Sequence, residues 1–119
     1  MAAHNELGKV GEQIAHDYLI KKGYLIKERN WRCKKAEVDL IAQKGEILAI
    51  IEVKTRSTDA FGDPKDFIDD KKINMLISAI DQYVCSKKLD VEVRFDVIGI
   101  VISGEQIQLE HIEDAFYHF

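Results

Sequence analysis

The sequence predicts an α/β fold in which a mixed central sheet is flanked by helices, in the order α-β-β-β-α-β-β. Three observations lead there. Apolar or small residues recur with helical spacing at Leu7, Gly11, Ile14, Ala15 and Tyr18, and again at Ile73, Leu76, Ile77, Ile80, Tyr83 and Val84. Between and after these stripes lie runs with the alternation or the continuous apolarity of strands. Gly45-Glu46, set between two such runs, has glycine where a type II′ hairpin turn wants it. The helices must then cover the sheet, because each element has an apolar face to bury.

The elements follow in order. The first helix is expected over Asn5 to Lys22, with Asn5 as N-cap and Gly23 at the stop. Gly8 and Gly11 cost helix propensity, so both suggest close approach of another backbone. Tyr24 to Arg29 reads as a strand, and Asn30 to Lys35 as a basic connection carrying Trp31. A hairpin spans about Ala36 to Arg56. Ser57 to Asp66, with Gly62 and Pro64, is a loop. The second helix runs from about Asp69 to Lys88. Val91 to Ser103 is a long strand in which Asp96 interrupts an apolar run, and Ser103-Gly104-Glu105 joins it to a strand over Ile107 to Ile112.

Composition bounds the function. With 119 residues, 46% hydrophobic and 32% charged, the chain is large enough for one domain (1–119) with its own core. No apolar run approaches the roughly 20 residues that span a bilayer, and the first residues lack a signal-peptide pattern. Cys33 and Cys85 have neither zinc-type spacing nor a disulfide framework, so a reducing, cytoplasmic setting is expected, without a membrane partner. Net charge is −4, but it is unevenly spread. Residues 1–35 hold 8 basic and 4 acidic side chains, and residues 36–119 hold 9 and 17. An acidic total argues mildly against nonspecific nucleic-acid binding, yet allows it where basic residues converge.

The hairpin carries the chemistry. A Gly45-Glu46 turn places Asp39 opposite Glu52, Ile41 opposite Ile50 and Gln43 opposite Leu48. The other face then reads Val38, Leu40, Ala42, Ala49, Ile51 and Val53, all apolar. A Lys44-Gly45 turn would shift the pairing by two and keep the same faces, whereas a slip of one residue would spoil the apolar one. Glu37, Asp39, Glu52 and Lys54 therefore share one end of one face. Buried carboxylates are costly unless paired or holding a cation, and here they outnumber the lysine. Asp39 and Glu52 can ligate Mg²⁺ or Mn²⁺, with the Val53 carbonyl as a further oxygen. Lys54 can hold or help deprotonate a water and stabilise transition-state charge. Glu12, from the first helix, can add a ligand if that helix packs over this end. Such a set suits metal-assisted phosphodiester hydrolysis.

Gly8-Lys9-Val10-Gly11-Glu12, Tyr18-Leu19, Gly23-Tyr24, Arg29-Asn30-Trp31-Arg32 and Glu37-Val38-Asp39-Leu40-Ile41-Ala42 occur in this order. Glu52-Val53-Lys54-Thr55-Arg56-Ser57, Phe61-Gly62 and Arg94-Phe95-Asp96-Val97 complete the series. Together they resemble the YraN-like family of small bacterial proteins, over nearly the whole chain. That family is similar in turn to the PD-(D/E)XK nucleases, in the branch of the Holliday-junction resolvases. The resemblance implies a restriction-endonuclease-like fold. It sets Asp39, Glu52 and Lys54 at the motif's aspartate, acid and lysine, and Glu12 at the helix-borne acid. Two positions depart from the pattern. Val38 replaces the proline before the aspartate, and Ala36 stands where the family has glycine.

The expectation is a Mg²⁺- or Mn²⁺-dependent endonuclease acting on DNA, with branched or damaged DNA as the substrate class and a homodimer as the resolvase-like arrangement. The alternatives are a catalytically silent nucleic-acid-binding module and a protein-interaction domain on the same fold. Arg29, Arg32, Lys34, Lys35, Arg56, Lys71 and Lys72 are the candidate phosphate contacts, with Trp31 either stacked on a base or in the core. Arg94 and Asp96, two apart on one strand, are expected to form a structural ion pair. The four histidines show no ligand spacing and are expected at the surface.

Overall fold

The computed structural model describes residues 2–57 and 70–115. Its elements are α1 (Ala2–Lys21), β1 (Leu25–Cys33), β2 (Ala36–Lys44), β3 (Ile47–Arg56), α2 (Asp70–Ser86), β4 (Glu92–Ser103) and β5 (Gln106–Ile112). This is the expected order. The expected loop after Ser57 lies, beyond its first residue, outside the described residues.

The five strands form one sheet in the order β1-β2-β3-β4-β5. The β3–β4 pair is parallel and the other three are antiparallel. A parallel neighbour needs a crossover, and α2 is that crossover. Strand alternation sends successive β3 side chains to opposite faces. Leu48 and Ile50 pack with Ile73, Leu76, Ile80 and Tyr83 of α2, while Ala49 and Ile51 pack with Ala15 and Leu19 of α1. Each helix thus covers one face, and β3 runs between the two cores.

The helix ends differ in part from expectation. α1 opens at Ala2, so Asn5 lies within the helix instead of capping it. Its C-terminus closes as expected at Gly23, whose φ is 97°. There Tyr24 N–H donates to the Leu19 carbonyl (2.9 Å) and Gly23 N–H to that of Ile20 (3.0 Å), the Schellman arrangement. α2 closes the same way around Lys88, a non-glycine residue at φ 52°. Of the two helical glycines, only Gly11 meets a close neighbour. A Cβ there would overlap Thr55 Oγ1 and lie 2.8 Å from Thr55 Cβ, whereas Gly8 has nothing within 4 Å. Gly11 therefore lets α1 sit against β3, and the expectation for Gly8 fails.

Two further corrections concern β1 and β2. Asn30 to Cys33 continue β1 instead of forming a connection, and the turn is confined to Lys34-Lys35. The extension holds because Trp31 and Cys33 pack against the α2 core, with Trp31 edge-on to Tyr83 at 5.4 Å. Val38 does not share a face with Leu40 and Ala42. It packs on the α2 side, with Ala36, while those two face α1. The change of face falls between the pairs Trp31↔Val38 and Arg29↔Leu40, where Asn30 has φ 50°. A local kink there re-aims the chain on either side of Asp39.

A buried charge network ties the α1 face together. Asp96, 1% exposed, accepts from Arg94 Nε (2.9 Å) and Nη2 (2.8 Å), from the Asp114 N–H (3.1 Å), and pairs with His111 Nε2 (2.8 Å). Arg94 also donates to Tyr24 OH, and Tyr18 OH meets His111 Nδ1 at 3.0 Å. The Arg94–Asp96 pair is as expected. His111 is not at the surface, its side chain being 7% exposed. The signal was its place two residues after Leu109, on a strand face that packs against α1. His16 is partly buried, and the side chains of His4 and His118 lie outside the described residues.

Candidate metal centre at the end of the β2–β3 hairpin

The hairpin has the register read from the sequence. Lys44 pairs with Ile47, Gln43 with Leu48 and Ile41 with Ile50. Gly45 at φ 61° makes the turn. The ladder runs to Leu40↔Ile51, one step short of Asp39 and Glu52. There a side chain takes over from the ladder, and Asp39 Oδ2 accepts the Val53 N–H at 2.7 Å. In a strand, the N–H and C=O of one residue point to the same edge. The Val53 carbonyl therefore shares the edge on which Asp39 sits.

Glu52 is held from two elements. Its Oε1 lies 3.3 Å from Lys54 Nζ, on the same strand, and 3.2 Å from Lys72 Nζ, on the first turns of α2. Its side chain is only 12% exposed, so the carboxylate is both fixed and largely out of water. Glu12, one residue after Gly11 on α1, is half-buried and acts on Asp39 through its charge. Burial first, and then the Glu52 charge, push the Asp39 carboxyl up to about 7, with Glu12 adding to the rise. The Val53 N–H and Lys54 pull the other way without cancelling it. The field at Asp39 is net negative despite the lysine.

That field and the donor set fit a hard divalent cation. Asp39, Glu52 and the Val53 carbonyl are oxygen donors on rigid strands, the kind Mg²⁺ and Mn²⁺ take. Among the described residues no three His, Cys, Asp or Glu side chains form a ligand cluster. The side-chain share of a coordination sphere would thus be two carboxylates, which suits an ion that keeps several waters.

The structure brings together Asp39, Val53, Glu52 and Lys54, and adds Lys72, whose contact with Glu52 the spacing did not reveal. Glu12 acts on Asp39 through its charge but does not complete a three-carboxylate cluster with it and Glu52. Glu37 departs from the group. Its carboxylate pairs at 2.7 Å with Arg32, and both side chains are mostly exposed. The remaining basic candidates do not form one surface. Arg29 donates to Gln13 of α1 (3.3 Å), and Arg56 to the Thr55 carbonyl (3.0 Å). Lys34, Lys35 and Lys71 are exposed and line one groove between the β1–β2 turn and α2.

No helix among the described residues is long and apolar enough to cross a membrane. A family model described as uncharacterised protein family UPF0102 matches residues 11–100, which include Glu12, Asp39, Glu52, Val53, Lys54 and Lys72. A UPF0102 protein of Flavobacterium psychrophilum is 53% identical over 119 residues, covering all of both chains. One of Christiangramia forsetii is also 53% identical over 119 residues, with the same full coverage. One of Bacteroides thetaiotaomicron is 45% identical over 117 residues, 98% of this chain and 97% of that protein. On this likeness, which runs from end to end, the chain belongs to the UPF0102 family.

Proposed function

We propose that the protein is a Mg²⁺- or Mn²⁺-dependent endonuclease that hydrolyses DNA phosphodiester bonds, with branched or damaged DNA as the substrate class. The observation that carries this reading is the pairing of Asp39 with the Val53 N–H beside a Glu52 held by Lys54. Two carboxylates and a lysine are thereby fixed at one strand end, in a field that still favours a cation. The chemistry a bound cation supplies is Lewis acidity toward a phosphate oxygen and a lower pKa for water. Asp39 and Glu52 are the residues that would hold it, with the Val53 carbonyl. Lys54 stands over Glu52, where its ammonium orients the attacking water and offsets charge developing on the phosphate. The Val53 N–H keeps Asp39 aimed, and Lys72 restrains Glu52 from the helix side. Glu12 adds negative charge from α1 and favours cation occupancy.

Calorimetric titration with Mg²⁺ and Mn²⁺ tests the metal. The wild type should bind with modest affinity, and Asp39→Asn, which keeps the size and removes the charge, should lose most of it. Linear, single-stranded and four-way-junction DNA incubated with wild type and Lys54→Ala then tests turnover. Equal cleavage by both would remove the role given to Lys54, and no heat with either cation would remove the reading itself. The double hold on Glu52 favours one second reading, a nucleic-acid-binding module without turnover. That module would retain DNA with a steep salt dependence and yield no products.

A further inference from the structure

A groove of about 750 Å³ lies between the β1–β2 turn and one face of α2. Its rim carries Lys34 and Lys35 from the turn and Lys71 from the helix, and among the described residues none that lines it is acidic. In a chain of net charge −4, three lysines and, among the described residues, no carboxylate make this lining a local reversal of sign. Along α2, Asn74, Ser78 and Gln82 follow at four-residue spacing and so form one row. Met75 and Ala36 give the groove apolar lining. A smaller extension of about 280 Å³ shares Lys35, Ala36, Lys71 and Met75 with it and reaches Lys72, with one carboxylate, Glu37, on its wall, paired with Arg32 at 2.7 Å. Lys72 Nζ is the group 3.2 Å from Glu52. The extension of the groove thus ends at a lysine that touches Glu52 of the candidate metal centre.

We infer that this groove binds an unpaired nucleic-acid strand and leads it to or from the carboxylate end of the hairpin. The inference rests on the proposed nuclease reading and names the kind of substrate that site receives. The rim lysines take phosphates, as basic grooves that track a single strand do. Bases, freed from pairing, turn inward onto Met75 and Ala36 and present their edges to the amide and hydroxyl row. A duplex cannot use the groove in this way, because its bases are stacked and paired while its phosphates face outward. The volume is that of a small-ligand pocket, typically about 300–1,000 Å³, which suits a short single-stranded segment. A run of acidic residues alone would satisfy the lysines but brings no flat apolar group to the lining. Proximity to the proposed phosphodiester-cleaving centre also favours the nucleic acid.

Cys33 provides the probe. Its thiol lines the groove and contacts Gln82 Oε1 at 3.5 Å, while Cys85 is exposed and does not line it. In EDTA, alkylation of Cys33 should slow at least tenfold with saturating oligo-dT, with no change at Cys85 and none from a blunt duplex. Anisotropy with the same oligo-dT should show a salt slope that Lys34→Ala/Lys35→Ala/Lys71→Ala lowers by about 2. That corresponds to three phosphate contacts on a single strand, or roughly a 20-fold difference in affinity change between 50 and 200 mM salt. Unaltered Cys33 reactivity with bound oligo-dT, or an unchanged slope in the triple variant, would overturn the inference. So would equal protection by poly-glutamate, which would assign the groove to an acidic peptide. Metal binding and junction cleavage intact in the triple variant, with its slope unchanged, would sink the groove and leave the nuclease reading standing. Protection of Cys33 in a protein that binds no cation would do the reverse.

Discussion

On the proposed reading Asp39 is set two demands that conflict, because it is partly buried beside another carboxylate and yet would have to be charged to hold a cation. Its carboxyl is raised from the ordinary 3.8 to about 7 by burial and by Glu52. Between those values the folded state keeps a proton that the unfolded chain has released. Asp39's contribution to stability is thus fully present below about pH 4 and is lost as pH rises through about 7. Asp39→Asn fixes the neutral form and can still accept the Val53 N–H through its amide oxygen. Urea melts in EDTA should find the variant and the wild type alike near pH 4. By about pH 8 the variant should be more stable, by up to about 4 kcal/mol, which is the rise from 3.8 to about 7 converted at about 1.4 kcal/mol per unit. The wild type's affinity for Mg²⁺ should fall up to about tenfold per pH unit below 7, since the ion competes with a proton. A residue that stabilises the empty protein when neutralised, and abolishes cation binding in the same variant, behaves as a site residue. An affinity flat from pH 6 to 8, or an Asp39→Asn protein less stable at pH 8, would contradict the assignment.

At the scale of elements, the site depends on α1 lying close to β3, and Gly11 sets that distance. Replacing a helical glycine by alanine ordinarily gains about 1 kcal/mol. At Gly11 the new Cβ would meet Thr55, and overpacking of this kind costs typically 1–3 kcal/mol. Gly11→Ala should therefore lower stability by about 1–2 kcal/mol in denaturant melts, while Gly8→Ala, with open space around it, should raise it. Thr55→Ala should recover part of the loss and no more, because the Thr55 Cβ itself lies 2.8 Å from the added atom. A stabilised Gly11→Ala protein would show that the helix is free to move away. The same elements separate what could be read in the chain from what could not. The β2–β3 register was legible because a slip of one residue would turn an apolar face outward, and Gly45 fixed the turn. The length of β1 was not, because Trp31 and Cys33 gain their burial from α2, which is remote in sequence. The turn of Val38 away from Leu40 was hidden too. It comes with a positive φ at Asn30, on the neighbouring strand, which no alternation pattern in β2 announces. Lys72 at Glu52 is legible only once α2 is known to return over the hairpin's end.

Over the whole molecule, Asp96 is the point at which distant parts of the chain converge. Arg94 and Asp96 come from β4, His111 from β5, Tyr18 from α1, Tyr24 from the start of β1, and the Asp114 N–H from beyond β5. Burial alone would raise the Asp96 carboxyl. The hydrogen bonds from His111, Arg94 and the Asp114 N–H overcome it and hold the group below its ordinary value. The sign is thus opposite to that of Asp39. The stability due to Asp96 is present above about pH 4 and is lost as pH falls through its depressed folded value. Asp96→Asn leaves the Arg94 guanidinium buried beside a neutral amide, and removing one partner of a buried pair typically costs 3–5 kcal/mol. Glu113, 3.6 Å from Arg94 and mostly exposed, takes up part of that charge, so the lower end, about 3 kcal/mol, is expected near pH 7. The difference from wild type should shrink as the medium is acidified from about pH 4 toward the depressed folded value, beneath which both proteins carry a neutral group at 96. Cation binding should survive in the variant wherever it stays folded, since none of the metal-centre residues takes part in the network. A loss below 1 kcal/mol near neutrality, or one that grows toward acid pH, would mean that the convergence on Asp96 does not hold these elements together.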